Sequence, residues 1–296
     1  MQRSFIKPTI GGRLFDAFNY VFMVFLCVVM IYPLFYLAMM SLTASDVALT
    51  KGYLIPPHMS LENYAQVLGN YYIGYGFVNS IKRTVIGTAL SVATMLLTAY
   101  PLSKKYFPNR RFWTAFVVFT MFFSGGMIPT YLTYSQTLHL DDSFWVMILP
   151  SLINTYNMLI ARNFFMGLPE ELSESGRIDG AGELRILVNI ILPISLPIIA
   201  TLSLWSAVSH WNAWFDSMLY FSDPKRQVLQ LVLRRIVLEG SDDLMNLGGT
   251  ADEMSTINPE TIKAATTMVA TIPIVLVYPF LQKYFVKGMV VGSLKG

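Results

Sequence analysis

The chain has 296 residues, 54% hydrophobic and 13% charged, with a formal net charge of +3 and a mean hydropathy of +0.51. Soluble domains carry roughly 25% charged residues, so the composition suits a chain whose main solvent is lipid and argues against an ordinary soluble domain. The lone Cys27 excludes an internal disulfide, and His58, His139 and His210 lack metal-ligand spacing; neither a metal nor a nucleic-acid partner is expected.

Six charge-free runs are long enough to cross a bilayer, which takes about 20 apolar residues. They cover 21–40, 84–103, 112–138, 143–161, 186–209 and 264–282. With their flanks the predicted spans are 18–42, 80–104, 112–137, 143–164, 186–210 and 264–286. The expected fold is an all-α membrane protein of six transmembrane helices in one domain, 1–296. The first run follows Arg3, Lys7 and Arg13. It exceeds the roughly 7–15-residue apolar core of a signal peptide, so it reads as a retained helix.

Two connections are long. Residues 43–79 carry the Pro56-Pro57 turn and a helix start with Ser60 as N-cap. Residues 211–263 carry mixed charges and the Gly248-Gly249 pair. Neither is large enough for a second domain with its own core. Lysine and arginine favour cytoplasmic loops. An inside N-terminus gathers Arg13, Lys104, Lys105, Arg110, Arg111, Arg162, Arg177 and Arg185 on the inner face and leaves both long connections outside. Both termini are then cytoplasmic. Lys82 and Arg83 fit this badly, at the outer mouth of the second span.

Catalytic signatures are missing. No lysine is followed by Ser or Thr, so there is no phosphate-cradling loop, and no nucleophile elbow or paired-histidine metal motif occurs. No carboxylate lies inside the six runs, which argues against a proton-driven carrier, although Asp216 sits just beyond the fifth. The chain therefore reads as a transporter subunit that is not an enzyme.

Between spans four and five lies a charged, glycine-punctuated segment. Pro169, Glu170 and Glu171 suit a helix start, with acids at its positive end. Gly180 and Gly182 allow a sharp reversal before Glu183. A short cytoplasmic helix is expected over 169–182, folded back on the start of a span. It is either a solvated loop or a grip for a partner.

Here the residues resemble a known family. Membrane subunits of ATP-binding-cassette importers carry Glu-Ala-Ala, then Gly after three residues, then Ile-x-Leu-Pro after nine more. Glu174, Gly180, Ile190, Leu192 and Pro193 stand at that spacing; Ser175 and Gly176 replace the two alanines with other small residues. The resemblance implies a type I importer permease fold whose short helix couples to an ATPase subunit. It carries that role to Glu174, Ser175, Gly176, Arg177, Asp179, Gly180, Ala181, Glu183 and Pro193. It implies a homologous second permease as heterodimer partner, two ATPase subunits holding ATP and Mg, and an extracellular solute-binding lipoprotein. No cofactor is expected on this chain.

The layout is similar to the second permease of the maltose-type carbohydrate-uptake group. So are Trp211, Asn212 and Trp214 after span five, and the tail from Lys283 to Gly296. The stretch from Phe123 to Tyr131 resembles the Gram-positive subgroup importing complex oligosaccharides. The expected setting is a Gram-positive cell membrane, crossed several times.

Sugars are held by aromatic faces and by amide or hydroxyl partners. Ser124, Gly125, Tyr131, Gln136, Asn154, Asn157, Trp205, His210, Trp211, Asn212 and Trp214, with Tyr156, are the candidate path residues. Each has an alternative role, since aromatic residues belt membrane interfaces and Asn bridges helices. The glycines at 125–126 are either a pore constriction or a close helix contact. Two other functions remain open on residues alone: import of an amino acid, peptide or other polar solute by the same family, and a stand-alone secondary carrier.

Overall fold

A computed structural model describes residues 9–44, 47, 54–239 and 258–293; side chains at 239, 278 and 280–293 lie outside the description. The Gly248-Gly249 pair, Arg3, Lys7 and the side chains of the tail motif therefore fall outside it. Among the described residues there is no strand, only one isolated bridge, Thr43 to Met59.

In chain order, α1 is Ile10–Ser41, α2 Glu62–Gly69 and α3 Tyr71–Ser103. Then come α4 (Arg110–Phe122), α5 (Met127–Leu132), α6 (Thr155–Met166), α7 (Glu171–Ile178), α8 (Glu183–Ile186), α9 (Leu192–Ile194) and α10 (Leu196–Asn212). Helices α11 (Phe215–Tyr220), α12 (Leu229–Glu239) and α13 (Pro259–Ser293) complete the chain. The chain divides into two compact units, Met1–Leu68 with Gly249–Val269 and Gly69–Gly248 with Ala270–Gly296.

In the first unit, α1 starts at Ile10 because the Thr9 side chain accepts from Gly12 N, earlier than the expected 18. Its apolar side chains are exposed along its length, Phe15, Val21, Phe25 and Met30 among them, as lipid-facing residues must be. Its last turn is fixed by polar bonds. Ser41 Oγ lies 2.7 Å from Tyr64 Oη, and Asn63 Nδ2 donates to the carbonyls of Ser41 (3.0 Å) and Thr43 (2.9 Å). Thr261 Oγ1 donates to Asn63 Oδ1 at 3.1 Å.

The second unit is built around α3. Asn70 Oδ1 accepts from the backbone N–H of Tyr72 and Ile73, so this helix begins nine residues before the expected span. Met95, Ala99, Met158, Ala161, Ile186 and Leu202 form its core, where α3 meets α6, α8 and α10. A smaller core at the other end of α3 joins Val146, Met147, Tyr220, Phe221, Val228 and Leu231.

Among the described residues, three helices are long and apolar enough to cross a membrane: Ile10–Ser41, Tyr71–Ser103 and Pro259–Val277. The other three expected spans are bent pairs. The bends are 113° between Arg110–Phe122 and Met127–Thr137, 51° between Phe144–Ser151 and Thr155–Met166, and 86° between Glu183–Ile194 and Leu196–Asn212. Each break has a local cause. Gly126 takes φ +88°, a conformation that costs other L-residues energy. Pro150 leads into the second break. Pro193 and Pro197 flank the third, where neither can donate to a helical ladder. A π-turn at Leu187–Ile191 precedes Pro193, and Ser195 lies fully buried at the bend.

Candidate functional site

Helix α7 opens with Glu171 and Glu174 in its first turn and closes with Arg177 in its last, which complements the helix dipole. It ends in a Schellman turn: Gly180 N donates to Arg177 O (3.0 Å) and Ala181 N to Gly176 O (2.9 Å). Gly180 takes φ +78° there. The reversal lays α7 against α8. A Cβ on Gly176 would meet Ile190 Cδ1 at 2.9 Å and Ile186 Cγ1 at 3.0 Å, so the small residue at 176 sets how closely the two helices approach. Ser173 and Gly176 face inward, while Glu174, Ser175, Ile178, Asp179 and Gly180 are exposed. Ile178 is 86% exposed, an apolar side chain presented at the tip.

Glu183 binds this turn together. Its Oε1 accepts from Arg177 Nε at 2.9 Å, and its Oε2 accepts from Tyr100 Oη at 3.0 Å and Tyr106 Oη at 2.9 Å. Burial pushes the Glu183 carboxyl up, but the donors from Arg177, Tyr106 and Tyr100 outweigh it and hold the group below its ordinary range. The same bond raises the Arg177 guanidinium, which also lies over the Tyr106 ring, 4.4 Å from its centroid. Lys104 Nζ donates to Ser173 Oγ at 2.7 Å, and Lys105 pairs with Glu170 at 2.9 Å. Sequence reasoning missed Tyr100 and Tyr106 because nothing local links them to 183, and Ser173 because its partner Lys104 is distant in sequence. The run of Lys104-Lys105-Tyr106 beside an acidic helix start was the available signal. Pro193 lies exposed on α9 after the π-turn.

Arg83, the misfit in the charge pattern, turns inward and is 2% exposed. It forms a bidentate pair with Asp216, its Nη1 to Oδ1 at 2.8 Å and its Nη2 to Oδ2. It also donates to the carbonyls of Met147 (3.1 Å) and Ala213 (3.3 Å). The carboxylate matches the buried charge and both Nη groups are bonded, while the buried Nε has no hydrogen-bond partner.

The other candidate residues are dispersed. Ser124 and Gly125 are exposed at the break between α4 and α5. Tyr131 stacks on Tyr220, with centroids 5.5 Å apart. Gln136 is exposed. Asn154 Oδ1 caps α6 by accepting from Asn157 N at 3.0 Å; Asn157 is half-buried beside exposed Tyr156. Trp205 is 39% exposed. His210 is buried, 3.3 Å from Ser91 Oγ, and its ring lies where a Cβ on Gly87 would stand, 2.7 Å away. Trp211 is buried and donates to Ala270 O at 3.2 Å. Asn212 is exposed and bonds its own helix at Val208 O. Trp214 is half-buried beneath Arg234, whose guanidinium carbon lies 3.9 Å from the ring centroid.

Comparison with known proteins bears on both ends. The chain is 42% identical over 289 residues to the polygalacturonan/rhamnogalacturonan transport system permease protein YtcP of Bacillus subtilis, covering 96% of this chain and 99% of that protein. It is 39% identical over 289 residues to protein LplC of the same organism, covering 97% of each. A solved bacterial ABC transporter involved in the import of the acidic polysaccharide alginate superposes with a TM-score of 0.84 at 29% identity, covering 94% of this chain and 98% of the matched one. YtcP is by name a transport-system permease rather than an enzyme. An importer permease of this kind has a second permease, ATPase subunits and a solute-binding protein as its general partners. The fold is that of a type I ABC importer permease. The model of the binding-protein-dependent transport system inner membrane components matches residues 9–291, and the chain belongs to that family.

Proposed function

We propose that this chain imports an acidic oligosaccharide by alternating access, with 169–182 as the segment that grips an ATPase subunit. It pairs with a different but homologous permease, above two ATPase subunits that hold ATP and Mg; the chain itself binds no cofactor. A lipid-anchored binding protein delivers the sugar from outside a Gram-positive cell membrane. The chain crosses that membrane several times with both termini in the cytoplasm. The observation that carries this reading is the Gly180 turn, which folds α7 back on α8 and leaves Glu174, Ile178 and Asp179 free at the tip.

The sugar is read from two supports. YtcP and the alginate transporter carry acidic polymers by name. Arg234 over Trp214 offers a cation on an aromatic plate, which suits a ring bearing a carboxylate. The broken backbone at 123–126 supports a water-lined path through Ser124 and Gly125, because unpaired backbone groups are not tolerated against lipid. Gln136, Asn154, Asn157, Trp205 and Asn212 are the polar and aromatic positions we assign to that path with Tyr131 and Trp214. His210 and Trp211 serve it by packing.

Gly180→Asp in the assembled importer is the test. Uptake and substrate-stimulated ATP hydrolysis should both fall at least about fivefold, since coupling free energies of about 1–3 kcal/mol are lost when the grip fails. Unchanged coupling would remove the helix from this role.

A further inference from the structure

Helix α3 is a single helix of 33 residues, about 50 Å long. Its only proline, Pro101, lies in the last turn. The bent spans beside it break by 51° to 113°, whereas α3 does not break.

Both ends of this rod are fixed by polar clamps to different segments. At the inner end, Tyr100 and, in the turn that follows, Tyr106 share the Glu183 carboxylate, which also holds Arg177 of α7. Lys104 holds Ser173, one turn earlier on α7. Both ends of α7 are therefore tied to 100–106. In the outer half, about three turns inside the start of α3, Arg83 holds Asp216, the Ala213 carbonyl and the Met147 carbonyl. One turn further out, Ser80 Oγ accepts from Leu229 N at 2.9 Å. Asn79 Nδ2 donates to the carbonyls of Lys225 (2.9 Å) and Gln227 (3.0 Å). The Gly87–His210 contact and the Met95–Ala99 core seat the middle of α3 against its neighbours.

We infer that α3 is the rod that carries coupling between the ATPase-gripping helix and the outer cap of 213–233, with Tyr100, Tyr106 and Arg83 as its positioning residues. A displacement of α7 passes into α3 through side-chain bonds, in parallel with the chain connection through α8. At the outer end the rod moves the segment that meets incoming substrate. The inference rests on the reading of α7 given above. It adds that the two ends act through one element, as linkage between distant sites requires a shared two-state element.

The experiment uses the complete importer in proteoliposomes with its binding protein. Tyr100→Phe/Tyr106→Phe removes two hydroxyls and keeps both rings. ATPase subunits should stay bound and basal ATP hydrolysis should persist. Stimulation by the loaded binding protein should fall at least about fivefold, the lower range of ordinary coupling. Asp216→Asn should lower stimulation in the same direction. The triple variant should be no worse than the worse parent, because two cuts in one rod do not multiply. Undiminished stimulation in the tyrosine pair overturns the inference. So does loss of the ATPase subunits from that variant, and so does a triple variant whose defect is the product of the two. If Asp216→Asn fails to fold, the tyrosine pair alone decides. An Ile178→Cys variant separates the underlying reading: if it never cross-links to an ATPase subunit in the otherwise unaltered complex, the grip itself is misplaced, whatever the tyrosine variants do.

Discussion

Gly180 combines φ +78° with open space where a Cβ would stand, so its substitution cost is conformational. Gly180→Ala should cost about 1–2 kcal/mol of local stability, the penalty of a left-handed L-residue, and Gly180→Asn should recover part of it. Uptake in the assembled importer should rank glycine, asparagine, alanine; equal uptake by all three would show that the turn relaxes without penalty. Glu183 gives a pH expectation. Its carboxyl is held below the ordinary range, so its stabilising effect is complete above the unfolded value of about 4.3. It is lost as pH falls through the lower folded value. Thermal stability in detergent should therefore show no contribution from this group's titration above about pH 6. Glu183→Gln should flatten the acid limb; an acid limb identical to the parent's would dissociate the group from it. At this scale the sequence was legible where chemistry is local. Pro169, Glu171 and Gly180 announce a helix and its end. Two partners of Glu183, Tyr100 and Tyr106, lie more than seventy residues away, and no spacing rule reaches them.

Two helix contacts set the geometry of the elements. A Cβ at 176 would press on Ile190 Cδ1, the free end of a flexible side chain. Gly176→Ala should be tolerated, helped by up to about 1 kcal/mol of helix propensity, whereas Gly176→Leu should wedge α7 off α8 and abolish uptake. A leucine variant with full uptake would show that this approach is dispensable. At Gly87 the obstacle is the rigid imidazole of His210 at 2.7 Å, so Gly87→Ala should destabilise the α3–α10 contact by about 1–3 kcal/mol, the range for overpacking. A lower melting temperature in detergent checks it. The apolar runs made the spans readable as spans, because lipid demands long charge-free segments. Their breaks were less readable. Pro150, Pro193 and Pro197 stand visibly in the sequence, yet proline alone does not decide between a kink and a reversal. The 113° bend depends on Gly126 adopting a positive φ, which composition does not dictate. Lys82 and Arg83 looked anomalous together; the inward turn of Arg83 onto Asp216 accounts for one of them through tertiary pairing.

For the whole molecule, the proposed orientation, read from the charge distribution, has 169–182 inside and 43–79 outside. In a Cys27→Ser background, Ile178→Cys should react with a membrane-impermeant maleimide only from the cytoplasmic side, and Leu61→Cys only from outside. The reverse pattern would invert the topology and separate the helix from any cytoplasmic ATPase. The proposed grip at the exposed α7 tip accords with the ATPase subunits that are general partners of this family. The most direct test is reconstitution of this chain with its second permease and ATPase subunits in liposomes, with radiolabelled oligogalacturonate and its binding protein supplied on the outer side. Uptake is expected only when ATP is hydrolysed at the face bearing Ile178 and the binding protein is present at the other; flux through this chain alone, driven by an ion gradient without ATPase subunits, would contradict the importer reading.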